Sequence, residues 1–286
     1  VVRPRRLVVL AAVVVAGCTS TPSAPPPVSS SPSVSSGVPT TSPPTTTTPA
    51  PAPPSPEWTV GGRPLPLRPD GFGQVLPTPP ELVNRHLPTA DVLPPPGDGR
   101  YHSTVAAVPD DVLARSTWQP SCPVAATDLR YLTMSFTGYD GRVHTGEMIV
   151  GARVADAVTR VFGHLFAARF PIEEMRVVTP AELTAPPTGD GNNTTGFVCR
   201  PAVGQSRWSA HAYGLAIDLN PFCNPYVRGD LVLPELASSY LDRANVRPGM
   251  VEPGDVAVRA FTAIGWSWGG EWTTPKDIQH FTATGD

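Results

Sequence analysis

His211 and Asp218 stand seven residues apart with Gly214 between them, and His280 comes much later in the run Asp277-Ile278-Gln279-His280-Phe281. On a β-strand a seven-residue spacing would put the two side chains on opposite faces, and on a straight helix it would separate them by two turns. A turn at Gly214 would instead fold His211 back beside Asp218. Two histidines and one carboxylate are a common ligand set for a catalytic zinc ion, with the fourth position left to water. Such an ion lowers the pKa of its water towards ~7 and polarises a scissile carbonyl. A base must sit beside that water, and Asp277, three residues before His280, is the candidate. An extended strand would point Asp277 and His280 to opposite sides, so the spacing predicts a turn or bulge between them.

These side chains need a scaffold. Residues 131–136 and 143–150 read as strands joined through Tyr139-Asp140-Gly141, a hairpin signal. Residues 152–170 place Val154, Val158, Val161, Phe162, Leu165 and Phe166 on one face at helical spacing, and Pro171 ends the helix. A second helix is expected over 255–264, entered through Pro253-Gly254-Asp255 and stopped by Gly265. Short strands are expected at 175–178, 197–200, 216–219 and 277–281, and helical turns at 80–85 and 110–115. Strands and helices do not alternate regularly, which predicts an α+β fold: a small mixed, mainly antiparallel sheet with flanking helices and a zinc site.

The pattern Ser209-x-His211-x-x-Gly214-x-Ala216-x-Asp218, followed by Asp277-x-x-His280, resembles the signature of a zinc peptidase family. That family holds the D-Ala-D-Ala carboxypeptidases and the L-alanoyl-D-glutamate endopeptidases, and the hedgehog signalling domain shares its fold. The resemblance extends through Asp128-Leu129-Arg130-Tyr131, His144-Thr145-Gly146-Glu147, Asn193-Thr194 and Phe197-x-Cys199-Arg200, covering roughly residues 122–281. It implies Zn2+ as cofactor, with His211, Asp218 and His280 as ligands. It also implies Asp277 as general base and then proton donor to the leaving amine. Many relatives have Glu at that position, and Asp resembles the endolysin branch. Arg200 resembles the family arginine that steadies the substrate carbonyl as it becomes an oxyanion. Ser209 is expected either to hydrogen-bond substrate or to buttress the metal loop. Trp268 is a candidate for the peptide groove, with strand packing as its alternative. His144 and Glu147 are expected to be structural.

The rest of the chain bears on where such a site would work. Arg3, Arg5 and Arg6 precede an apolar run over residues 7–16 that is too short to span a bilayer. Residues 1–17 have the layout of a secretory signal. The sequence Val15-Ala16-Gly17-Cys18 resembles a bacterial lipobox, which implies lipidation at Cys18. Residues 18–56 are a Pro/Ser/Thr-rich tether without charge or aromatic residues, expected to stay extended and to reach up to about 100 Å. Residues 57–120 read as an irregular arm packed on the domain, and residues 121–286 as the zinc peptidase domain. The expected location is outside the cytoplasm, lipid-anchored to the outer face of the bacterial cytoplasmic membrane.

Composition narrows the remaining choices. A net charge of −3 and a single basic cluster at the start of the chain give no reason to expect a nucleic-acid partner. The expected partners are peptidoglycan stem peptides and, through the anchor, a membrane. A monomer is expected. With Cys18 lipidated, Cys122, Cys199 and Cys223 remain. A Cys199–Cys223 bridge would brace the metal loop from both sides, with Cys122–Cys199 and Cys122–Cys223 as competing pairings. The rival from another class is a catalytically inactive, zinc-stabilised cell-wall binding module. Asp277 and Arg200 speak against it, since a purely structural zinc site needs neither.

Overall fold

The protein is described by a computed structural model over residues 58–285. The signal-like segment, Cys18 and the Pro/Ser/Thr-rich tether lie outside the described residues. No helix among the described residues is long and apolar enough to cross a membrane.

In chain order, α1 (Pro80–Val83), β1 (Ser103–Ala106) and α2 (Asp110–Arg115) lead to the long strands β2 (Leu129–Thr137) and β3 (Val143–Gly151). Helix α3 (Ala155–Ala167) follows, then the short parallel pair β4 (Glu174–Met175) and β5 (Asn193–Thr194). The C-terminal part holds β6 (Ala216–Asp218), β7 (Tyr226–Arg228), β8 (Leu231–Leu233), α4 (Val256–Ala263), β9 (Ser267–Trp268), β10 (Lys276–Asp277) and β11 (His280–Thr282). These strands form three small antiparallel sheets, ordered β1-β2-β3, β10-β7-β8 and β6-β11-β9. The fold is mixed α+β, as expected.

The hairpin closes where the sequence places it. Gly138 N donates to Arg142 O at 2.9 Å, and Gly141 takes the left-handed φ of 75° that favours glycine. Helix α3 buries Val158, Val161, Phe162 and Leu165 against β2, and its chain leaves through Arg169 at φ 54°. Helix α4 starts on an Asp255 cap, whose Oδ1 accepts from Val258 N at 2.9 Å. Both helices pack over one core with Leu132, Met134, Ile217, Leu219 and Phe281. Phe261 and Phe281 stack with ring centroids 4.0 Å apart, which ties α4 to β11, the strand that begins with His280.

Residues before 120 are held by buried polar contacts. Arg85 is almost fully buried and makes two 2.6 Å bonds to Glu173. Trp58 Nε1 donates to Asp190 Oδ2 at 2.9 Å. The first of these strands, β1, extends the hairpin sheet by pairing Ser103–Ala106 with residues 131–134. All four of its residues are exposed, so it lacks the alternation by which a strand announces itself.

Two expectations need correction. Residues 197–200 form no strand; the strand lies at Asn193–Thr194 instead, and Val198 N donates singly to His211 O at 3.2 Å. The disulfide is Cys122–Cys199, not Cys199–Cys223, and Cys223 is a free, buried thiol. Cys199 packs with Val112, Leu129 and Ile149, while Cys223 belongs to a different cluster with Leu82, Phe222 and Tyr240. Nearness along the chain therefore does not bring those two sulfurs together.

Candidate metal centre

His211 lies on the 3-10 turn Ala210–Tyr213, which Ser209 opens by accepting from His211 N at 3.3 Å. Gly214 then reverses the chain at φ 64°. A Cβ there would lie 2.3 Å from Gly151 N, so both the turn and its seat against β3 require glycine. Strand β6 follows at once and ends on Asp218. Asp218 is paired with Thr195 through two backbone bonds, of 3.1 and 3.0 Å, and with His280 across β6 and β11. Between Asp277 on β10 and His280 on β11, residues 278–279 form the turn that the spacing predicts.

His211 Nε2, Asp218 Oδ1 and His280 Nδ1 converge. His211 Nε2 is 3.2 Å from both of the other two atoms, and His280 Nδ1 is 3.0 Å from Asp218 Oδ1. All three residues are buried, and together they could hold a metal ion. The other ring nitrogen of His211, Nδ1, lies 2.6 Å from Gly196 O, which directs Nε2 towards the other two atoms. The donor chemistry fits zinc: two imidazole nitrogens and one carboxylate oxygen, each held by a different local structure.

Charge in this group is strongly organised. Burial alone would raise the Asp218 pKa, but the charge and hydrogen bond of His211, with those of His280, outweigh it and hold the carboxyl well below the usual range. Burial would lower His280, yet its bond to Asp218 and the nearby carboxylate charges raise it. Asp277 moves the other way. Burial pushes it up to about 7, with His280 opposing and Asp218 reinforcing the shift. Its Oδ1 is shielded from solvent and has no hydrogen-bond partner among the described residues. A carboxylate so placed is suited to exchanging protons near neutrality.

These residues line a cavity of about 370 Å³ together with Arg200, Ser209, Tyr226, Glu235, Gln279 and part of the loop over residues 187–191. Arg200 is partly exposed, and one of its nitrogens donates to Pro201 O at 3.1 Å. Ser209 both caps the metal loop and faces the cavity, so its two expected roles are compatible. Trp268 does not line this cavity. Its indole is buried, stacks on Phe281 and donates to Ile278 O at 2.7 Å, because β9 pairs Trp268 with Phe281 and turns the ring into the core. Trp272 is the tryptophan beside the site, with its ring 5.6 Å from that of His280.

Tyr226, Gln279 and Glu235 were not singled out by sequence. Tyr226 stands opposite Asp277 in the β7–β10 register, a long-range pairing that no local pattern signals. The Asn193-Thr194 motif, by contrast, has a visible reason. Thr194 Oγ1 accepts from Asn220 N at 3.1 Å, so β5 anchors the chain just after Asp218.

His144 and Glu147 lie away from the cavity. Glu147 takes two bonds from Arg115 and one from Tyr131, and His144 contacts Asp91 and Asp140.

No curated protein and no solved structure matches the chain. A family model does: residues 203–283, which contain Ser209, His211, Asp218, Asp277 and His280, match the model described as D-alanyl-D-alanine carboxypeptidase, so that segment is similar to the family its motifs resemble.

Proposed function

We propose that this protein is an exported zinc metallopeptidase that hydrolyses peptidoglycan stem peptides, held at the cell surface by a lipid on Cys18. The observation that carries the reading is the meeting of His211 Nε2, Asp218 Oδ1 and His280 Nδ1 at the wall of a cavity that also holds the Asp277 carboxyl. His211, Asp218 and His280 would hold the ion. Zinc, when bound, supplies Lewis acidity towards a carbonyl and makes water a nucleophile at neutral pH.

The chain's own residues do the rest. Asp277 accepts a proton from the attacking water at its carboxylate and returns it to the leaving amine, which suits a group whose burial sets it near 7. Arg200, at the wall of the same cavity, donates to the carbonyl oxygen as negative charge develops there. Ser209 keeps His211 in position from its cap. The lipobox-like sequence and the tether support an extracytoplasmic location, in reach of the wall.

The test is hydrolysis of purified muropeptides by the protein from residue 57 onward, with products identified by mass spectrometry. It would be run with zinc, with chelator and as Asp277→Ala. Release of one terminal D-Ala would define a carboxypeptidase, and a cut between L-Ala and D-Glu an endopeptidase. Zinc-loaded protein that yields no chelator-sensitive product from any muropeptide would replace this reading with the wall-binding module.

A further inference from the structure

The cavity wall carries a carboxylate that the reaction above does not use. Glu235 is 4% exposed and faces the same cavity as His211, Asp218 and Asp277. Its Oε1 accepts from Gly73 N at 2.7 Å, and no hydrogen bond or ion pair reaches Oε2 among the described residues. Oε2 is also not one of the polar atoms sealed away from solvent without a partner, so solvent reaches it, and Glu235 is a residue of the cavity wall.

The surroundings fix this carboxylate in place. Gly73 approaches so closely that an added Cβ would lie 2.9 Å from Oε1. Leu236 N donates to Gly189 O at 3.0 Å, which ties the Glu235 segment to the 187–191 loop of the same wall. One oxygen is thus anchored and the other is presented. A carboxylate oxygen left without a protein donor is a ready acceptor for a cationic N–H group, whose charge-assisted bond is stronger than a neutral one. Arg200, the cation of this wall, is already committed to the opposite task of meeting negative charge. The cavity therefore offers one positive and one separate negative recognition group.

We propose that Glu235 is a substrate-binding residue whose Oε2 accepts hydrogen bonds from an ammonium group of the peptide. This rests on the peptidase reading and adds a specificity determinant to it. The ammonium is either the α-amine of the peptide or the amine of a diamino-acid side chain, since both present the same N–H donors.

The probe is a synthetic stem pentapeptide with lysine at its third residue, prepared free, acetylated on the α-amine, or acetylated on the lysine side chain. Binding to the zinc-loaded protein is measured by calorimetry in the Asp277→Ala background, with and without Glu235→Gln. One of the two acetylations is expected to weaken binding about tenfold or more, the range of a charged hydrogen bond. The Glu235→Gln protein should bind the free peptide that much more weakly and be indifferent to that acetylation. Which acetylation matters identifies the source of the amine.

Equal binding of all three peptides by the protein with Glu235 intact overturns the proposal, and that arm needs no substitution at Glu235. So does a Glu235→Gln protein that discriminates among them as the Glu235 protein does. Turnover persisting in Asp277→Ala would count against the catalytic reading and leave this binding comparison standing.

Discussion

The Gly196 carbonyl and His211 Nδ1 are 2.6 Å apart, and this single bond sets which nitrogen of His211 faces Asp218 and His280 in the candidate metal centre. Gly196 can sit there because its missing side chain leaves room for the Ile149 carbonyl, which an added Cβ would meet at 2.6 Å. Gly196→Ala should therefore displace the carbonyl and loosen the imidazole without removing any ligand. Partners of this kind are worth about 10–100-fold in metal affinity. Competition for zinc against a calibrated chelator reads the effect, and unchanged affinity in a folded variant would separate Gly196 from the metal centre.

The Cys122–Cys199 bridge spans 77 residues of sequence and joins the segment before β2 to the chain that leads into the metal loop. Opening it, by reduction or as Cys122→Ser, should cost about 2–4 kcal/mol of stability. Burial pushes the Cys223 thiol up to about 11, so it should resist alkylation until the protein unfolds. Mass spectrometry after alkylation would show one modified cysteine among residues 58–285 in denaturant and none in native buffer. Recovery of a Cys199–Cys223 peptide would contradict this pairing.

How much of this was legible in sequence follows from how local each signal is. The β2–β3 hairpin, α3 and α4 are set by features within a few residues of each other, such as Gly141, the apolar stripe from Val154 and the Asp255 cap. The metal loop is local too, because Gly214 does the folding between His211 and Asp218. What was missed depends on distant partners. The exposed strand β1 is defined only by its pairing with β2, Trp268 is drawn inward by Phe281, and Glu235 reaches the cavity through a contact with Gly73, 162 residues away. The cysteine pairing belongs to the same class, since it depends on which core cluster each sulfur joins.

Glu147 offers a test of a buried ion pair remote from the cavity. It is fully buried and accepts from Arg115 at 2.7 and 2.5 Å and from Tyr131 at 2.6 Å. Burial alone would raise its pKa, but the Arg115 and Tyr131 bonds outweigh that and hold it below its ordinary 4.5. A depressed acid stabilises the fold above its unfolded pKa and loses that contribution as pH falls through the folded one. Arg115→Ala, which strands a buried carboxylate, should cost about 3 kcal/mol or more at neutral pH. Glu147→Gln should cost less. Urea unfolding at pH 7 and again below pH 4 would show it, with the Arg115→Ala penalty shrinking at the lower pH.

Asp277 should give the activity its acid limb. Burial places its pKa at about 7 without an ion, and a cation bound by His211, Asp218 and His280 nearby can only favour the carboxylate. The base form is therefore lost as pH falls, and kcat/KM should decline on the acid side with a midpoint no higher than about 7. Asp277→Asn should retain zinc while losing about 100-fold or more in kcat, the usual contribution of a positioned acid–base group. In chelated protein the same group acts on stability. An acid whose folded pKa is raised favours the folded state at low pH, and that contribution disappears as pH rises from about 4 to about 7. The unfolding midpoint of chelated wild type should thus fall more steeply across that window than that of Asp277→Asn. Parallel curves for the two proteins would mean that Asp277 titrates as an ordinary surface carboxylate, and the assignment of the proton shuttle to it would fail.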